Sequence, residues 1–224
     1  MLKPKRKISK QEMKKDPFLE FINDSQHWLQ DRKRIIYQVA FGIIAVVTVV
    51  YFLSNNRVNT GKEGEALLGK ALLSQDIGDL ENAKFQLQTL VDDYDGTKAG
   101  IDGKYYLGIL SFNDGEIETA AEYFNEYVKK GNNAILMTTA YKILSEIATK
   151  NNMNEEAEQY LQKGKKISEK TVYYQEISLL LANQLFKNGE INQAKKIVDD
   201  ILQQDNILFS IKKTAEELQG RIEG

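Results

Sequence analysis

Cysteine is absent from the 224 residues, histidine and tryptophan occur once each, and proline occurs twice. Without cysteine the chain has no disulfides, no thiolate ligands for zinc or iron–sulfur clusters, and no thiol nucleophile. A lone histidine, His27, excludes multi-histidine metal sites such as H-E-x-x-H. Two prolines and fifteen glycines argue against collagen-like or low-complexity architecture. What remains is 42 % hydrophobic and 28 % charged, the make-up of a folded chain rather than a disordered or polytopic membrane one. The length suits one or two domains.

The net charge of −2 conceals a split. Residues 1–34 hold ten basic and five acidic side chains, whereas 54–224 hold 20 basic and 27 acidic, so the two ends stand at +5 and −7. Between them, 35–53 reads IIYQVAFGIIAVVTVVYFL and carries no charge. As a helix it spans about 28 Å, enough to cross a hydrocarbon core. Tyr37 and Tyr51 sit near its ends, where aromatic belts form. The long basic lead and the absence of a small-residue cleavage site mark it as a retained signal anchor rather than a cleaved leader. Arg32, Lys33 and Arg34 abut its start, while Arg57 and Lys62 follow its end. The positive-inside rule then places the N-terminus in the cytoplasm of a bacterium and the rest in the periplasm. Within the basic lead, residues 1–15 read as disordered. Asp16 and Pro17 read as the cap and first position of a helix over 17–33. That helix is either amphipathic and interfacial or an exposed extension of the anchor.

After a polar linker over 54–63, a period of 37 residues appears. The blocks GDLENA (78–83), GEIETA (115–120), NMNEEA (152–157) and GEINQA (189–194) are equally spaced. Gly78, Gly115, Gly189 and Asn152 suit a left-handed backbone just past a helix end. Ala83, Ala120, Ala157 and Ala194 are small enough for close helix approach. Leu87, Phe124, Leu161 and Val198 follow one turn later on the same face. Upstream, the large–small pairs Leu107-Gly108, Leu144-Ser145 and Leu181-Ala182 share the period, with Lys70-Ala71 degenerate in the first unit. Each unit is therefore helix A, a turn and helix B. Ile207, Leu208, Ile211, Ala215, Leu218 and Ile222 form a final capping helix. The expected fold is all-α, a single N-terminal transmembrane helix followed over 64–224 by a solenoid of about four helical hairpins plus a cap.

This grammar resembles the tetratricopeptide repeat (TPR), although each unit is about three residues longer than the usual 34. The stretch KKDPFLE (14–20), one anchor helix, the run GTKAG (96–100) and a few TPR units are together similar to YfgM-like proteins. That resemblance implies an ancillary partner of the SecYEG translocon and of periplasmic folding factors.

No constellation for catalysis stands out. Residues 64–70, GEALLGK, fit G-x-x-x-x-G-K, but Ala71 replaces the magnesium-binding Ser or Thr and the spacer favours helix. The repeat carboxylates read as solvated helix faces, and the acidic outer domain disfavours nucleic acid. No enzyme activity, cofactor, metal or small-molecule substrate is expected. Protein partners are. Counting from the large–small pairs, the outward A-helix positions are Leu68 and Leu72, then Tyr105, Ile109 and Phe112. Lys142 and Glu146 follow, and then Leu179, Asn183 and Phe186. They form either an apolar, aromatic partner-binding groove or, if the register is off by a few residues, part of the core. The leading function is a periplasmic scaffold near the translocon. A subunit of another cell-envelope assembly or export machine is the alternative, and the charge asymmetry speaks against an organellar import receptor.

Overall fold

The computed structural model describes Phe21, Trp28 and residues 32–224. The expected disorder of 1–15, the Asp16-Pro17 cap, His27 and most of the helix expected over 17–33 lie outside the described residues. Phe21 and Trp28 are themselves helical and exposed. Residues 33–223 hold nine helices, and no strand occurs among the described residues.

The chain divides into two compact units, Met1–Val58 and Asn59–Gly224. In the first, helix α1 (Lys33–Asp76) begins with the stretch Lys33–Tyr51, which is long and apolar enough to cross a membrane. It nearly coincides with the expected span. Its large apolar side chains with described burial are all exposed, from Val39 at 56 % to Phe41 at 76 %. Thr48, the polar residue mid-way, donates its hydroxyl to the Ile44 carbonyl at 2.8 Å, so no hydroxyl donor is left bare. Residues 54–63, expected as a linker, are helical and lie inside α1. A glycine inside a helix costs only about 1 kcal/mol, and no proline interrupts this stretch. Gly64 is also used for packing, because a Cβ there would meet Ala99 Cβ at 3.3 Å.

The second unit is a row of hairpins. The end of α1 pairs with α2 (Leu80–Asp93), and α3 (Lys98–Asn113) pairs with α4 (Ile117–Lys130). Then α5 (Ala134–Lys150) pairs with α6 (Asn154–Ser168), and α7 (Tyr174–Lys187) with α8 (Ile191–Leu202). Helix α9 (Phe209–Glu223) caps the row, burying Ala215 and Leu218 against Val198 and Ile201. Leu208, expected in the cap's apolar stripe, is instead 65 % exposed at the residue preceding the helix.

All four A-to-B turns are built alike. Gly78, Gly115 and Gly189 have φ of 81°, 81° and 84°, and Asn152 is the one non-glycine with positive φ among the described residues, at 59°. In each, the next residue donates its N–H back five residues at 2.8 Å: Asp79 to Ser74, Glu116 to Ser111, Met153 to Ala148 and Glu190 to Leu185. This closing bond satisfies a carbonyl that the ending helix leaves open.

Packing across each hairpin follows a size rule. The B-helix alanines Ala83, Ala120, Ala157 and Ala194 are all 0 % exposed. Facing positions share volume between them: Gly108 goes with Phe124, and Ala182 packs in one cluster with Val198. The tightest is Gly108, where a Cβ would lie 2.9 Å from the Phe124 ring. The degenerate pair of the first unit also has a cause. Leu107, Leu144 and Leu181 each pack on the preceding hairpin's B helix, in clusters with Leu87, Phe124 and Leu161 respectively. No hairpin of the unit precedes α1, so Lys70 at that register stays in water.

Replacing Gly115 by Val should cost about 1–2 kcal/mol from left-handed strain alone, since a Cβ there meets nothing within 4 Å. Asn152→Gly should be neutral or mildly stabilising. Denaturant melts of the two variants check both. In a second series, Gly108→Ala should cost about 1–3 kcal/mol through overpacking. Combining it with Phe124→Leu should cost less than the sum of the two single changes, by about 1 kcal/mol. Strict additivity would show that the two positions do not share volume.

Candidate partner-binding face

In a TPR-like solenoid the A helices line the inner face, so the candidate residues divide by what the next hairpin lays over them. Leu68, Tyr105, Lys142 and Leu179 share one register, and the structure gives them different surroundings. Leu68 is half-buried beside the cluster of Ala71, Leu87 and Leu107. Tyr105 is only 7 % exposed. Its ring sits 5.2 Å from Tyr106, 5.9 Å from Phe124 and 5.4 Å from Tyr127. Leu179 is 6 % exposed, packed with Ala182, Val198 and Leu218. Tyr105 and Leu179 therefore belong to the core, correcting their placement in an open groove. The reason is that an apolar side chain at this register is covered by neighbouring helices, whereas a lysine reaches out between them.

Lys142 is that lysine. It forms an ion pair with Glu176 on α7, and both side chains remain partly exposed. Such a pair adds little stability, but it ties α5 to α7 across the face. One register further along, Leu72 and Ile109 are half-buried, Glu146 is exposed and paired with Lys150 at 2.8 Å, and Asn183 is half-buried. Asn183 accepts from Arg221 at 3.4 Å, and that guanidinium stands 4.8 Å over the Phe186 ring. Phe112 is likewise half-buried, with the Lys150 ammonium 5.6 Å over its ring. Both groove phenylalanines thus lie under cations from the following A helix or the cap.

Between α7 and α9 a cavity of about 390 Å³ opens, floored by Leu179, Leu180, Ile211 and Leu218 and rimmed by Glu176, Asn183, Glu217 and Arg221. A second, of about 30 Å³, lies between α5 and α7 beside Lys142, Thr139 and Tyr173. The structure brings Leu179 and Asn183 together at the first and Lys142 to the second. It does not gather Leu68 and Leu72 with them. Counting positions in the sequence overlooked Glu176 and Arg221. Glu176 stands three residues before Leu179 on the same face of α7, a spacing that marks it in retrospect. Arg221 carries no such mark, because only the packing of the cap brings it over Phe186.

The perturbed ionisable groups are explained by packing. Lys104, 7 % exposed, bridges Glu126 at 2.6 Å and Asp95 at 3.3 Å. The Glu126 carboxylate foremost holds its ammonium above the usual lysine range, and Lys104 in turn holds the Asp95 carboxyl below the usual range. Burial pushes the Tyr127 and Tyr105 phenols up. The sequence match to a phosphate loop at 64–70 lies within helix α1, where no loop exists to cradle a phosphate.

With hairpins, turns and cap in place, the unit is an all-helical TPR-like solenoid. It is similar to a tetratricopeptide repeat protein from Parabacteroides merdae, with a TM-score of 0.57 and 16 % identity over 71 % of this chain and 61 % of that one. It is also similar to nearly identical TPR-like repeats from Podosopora anserina, with a TM-score of 0.54 and 14 % identity over 72 % of this chain and 86 % of that one. At such identities the likeness is one of fold. No protein-family model matches the sequence, and no curated protein matches it.

The division into core and surface has a direct check. Tyr105→Ala and Leu179→Ala should each lose about 2–5 kcal/mol, whereas Lys142→Ala should stay within about 1 kcal/mol. Urea melts of the full chain in mild detergent measure all three. A wild-type midpoint for Tyr105→Ala would return that residue to the surface.

Proposed function

We propose that the chain is a non-catalytic, membrane-tethered scaffold whose solenoid holds segments of other proteins on its A-helix face. The carrying observation is the cavity between α7 and α9, with four apolar side chains on its floor and Asn183 and Arg221 at its rim. A cavity of this size takes one or two apolar side chains of a docked helix or extended segment, and the rim groups hold its backbone. The stretch Lys33–Tyr51 supplies the tether. The basic side chains before it and the acidic balance after it support an inner-membrane protein with a cytoplasmic N-terminus and a periplasmic solenoid.

The partner we favour is the Sec translocon, with periplasmic folding factors beside it. That reading rests on the likeness to YfgM-like proteins in the basic lead, the anchor and the repeats. The second reading, a scaffold subunit of another envelope assembly or export machine, is favoured by the same cavity and differs only in the occupant.

Two measurements test this. A reporter active only in the periplasm should work when fused after Gly224 and be silent when fused before Met1; the reverse would remove the periplasmic reading. A photo-crosslinking side chain at Asn183 should capture translocon subunits in living cells, and one at Glu155 should not. Capture of a different machine's subunits at Asn183 would favour the second reading, and equal capture at both positions would remove the cavity as the site.

A further inference from the structure

Each hairpin runs out along its A helix and back along its B helix. The N-termini of all A helices therefore share one edge of the solenoid with the C-termini of all B helices, and the chain enters the unit at this edge, at Asn59. The turns that join hairpins along this edge carry an exposed apolar row. Ile135, Val172 and Phe209 follow one another at 37-residue spacing. They are 45 %, 82 % and 82 % exposed. Tyr173 and Leu208, beside them, are 36 % and 65 % exposed. None of the five belongs to a core cluster.

The opposite edge also exposes apolar side chains, Ile77, Leu80, Met153 and Ile191, so it is charge that separates the two edges. The three turns that bear the row, 128–137, 165–175 and 202–213, contain seven lysines against Glu169 and Asp205. The opposite edge, made of the A-to-B turns 74–82, 111–119, 148–156 and 185–193, contains nine carboxylates against Lys150 and Lys187. Helix-end preferences account for part of this, since Lys129, Lys130, Lys165 and Lys166 lie in last turns. They do not account for Lys170, Lys212 and Lys213, nor for apolar side chains held out in water. The first hairpin junction departs from the pattern: Lys98 occupies the register of the row, and Asp95 there is already taken by Lys104 at 3.3 Å and Lys130 at 3.9 Å.

A lipid–water interface accommodates both halves of this edge. Aliphatic and aromatic side chains enter the boundary of the acyl region while lysines meet anionic headgroups. The span Lys33–Tyr51 ends only eight residues before Asn59, a short tether in the chain between lipid and this unit. We propose that the edge bearing Ile135, Val172, Tyr173, Leu208 and Phe209 rests on an anionic membrane surface, leaving the acidic edge in water. This inference rests on the anchor reading of Lys33–Tyr51 and adds a second, reversible contact to it.

The chain has no cysteine, so single-cysteine variants report one place each. Val172→Cys and Phe209→Cys mark the row, and Leu80→Cys and Glu155→Cys mark the opposite edge. Each full-length variant is labelled with an environment-sensitive fluorophore and reconstituted into phosphatidylcholine vesicles containing phosphatidylglycerol and a headgroup-proximal, lipid-borne quencher. Labels at 172 and 209 should shift to the blue and lose fluorescence to the quencher, while those at 80 and 155 should do neither. The loss should shrink without phosphatidylglycerol. It should also shrink in 1 M salt, where the screening length falls to about 3 Å. Val172→Asp with Phe209→Asp should abolish quenching of a label at Tyr173→Cys without changing the melting temperature.

Equal quenching at the two edges, in a chain that resists carbonate extraction, overturns the surface contact and leaves the anchor standing. Quenching that ignores phosphatidylglycerol overturns it as well. So does a blue shift at 172 and 209 that appears in detergent as protein concentration rises, which would assign the row to a second copy or another protein. A chain washed from the vesicles by carbonate overturns anchor and surface together.

Discussion

Close approach of two helices across a hairpin is the constraint on which the solenoid depends. Ala83, Ala120, Ala157 and Ala194 are fully buried. The bulk they forgo is restored one turn later by Leu87, Phe124, Leu161 and Val198. The A-helix residue opposite shrinks or grows to match, from glycine against phenylalanine to alanine against valine. Interiors are packed at crystal-like density, so such exchanges conserve volume rather than residue type. The left-handed turn residue aims the B helix back along the A helix so that these surfaces meet.

The repeat also explains where the solenoid differs from itself. Its first helix has no hairpin of the unit before it, which leaves Lys70 in solvent where leucine is otherwise required. Its last hairpin is closed by α9, whose Ala215 and Leu218 bury against Val198 and Ile201 while Lys212, Lys213, Glu216 and Glu217 face water. A row of hairpins needs such an end, because each unit buries its apolar face only against a neighbour.

Both proposed contacts fall where the packing is incomplete. At the α7–α9 cavity the cap meets α7 through Leu179 and Leu218, and Arg221 joins Asn183 across the rim by a hydrogen bond of 3.4 Å. The edge row is incomplete in another way, since Ile135, Val172 and Phe209 recur with the period yet join no core cluster. One feature suits a docked protein segment and the other a flat surface. Both belong to a unit joined to an apolar helix that carries no described partner.

The period, the order of helices, the positions of the four turns and the apolar span were all legible in the residues. Each depends on a local rule: glycine or asparagine for a left-handed backbone, alanine for close approach, nineteen uncharged residues for a membrane. Burial at the candidate face was not legible. Leu68, Tyr105, Lys142 and Leu179 hold one register, and the period says only that they are equivalent. Whether each is core or surface was decided by the helix that crosses it, and that helix comes from another part of the chain. The continuation of α1 through 54–63 was not legible either, since a polar, glycine-containing stretch has weak helix propensity and the helix runs through it all the same. Likewise, Arg221 is brought over Phe186 only by the folded cap, because contacts between residues 35 positions apart in the chain depend on tertiary packing rather than on local sequence.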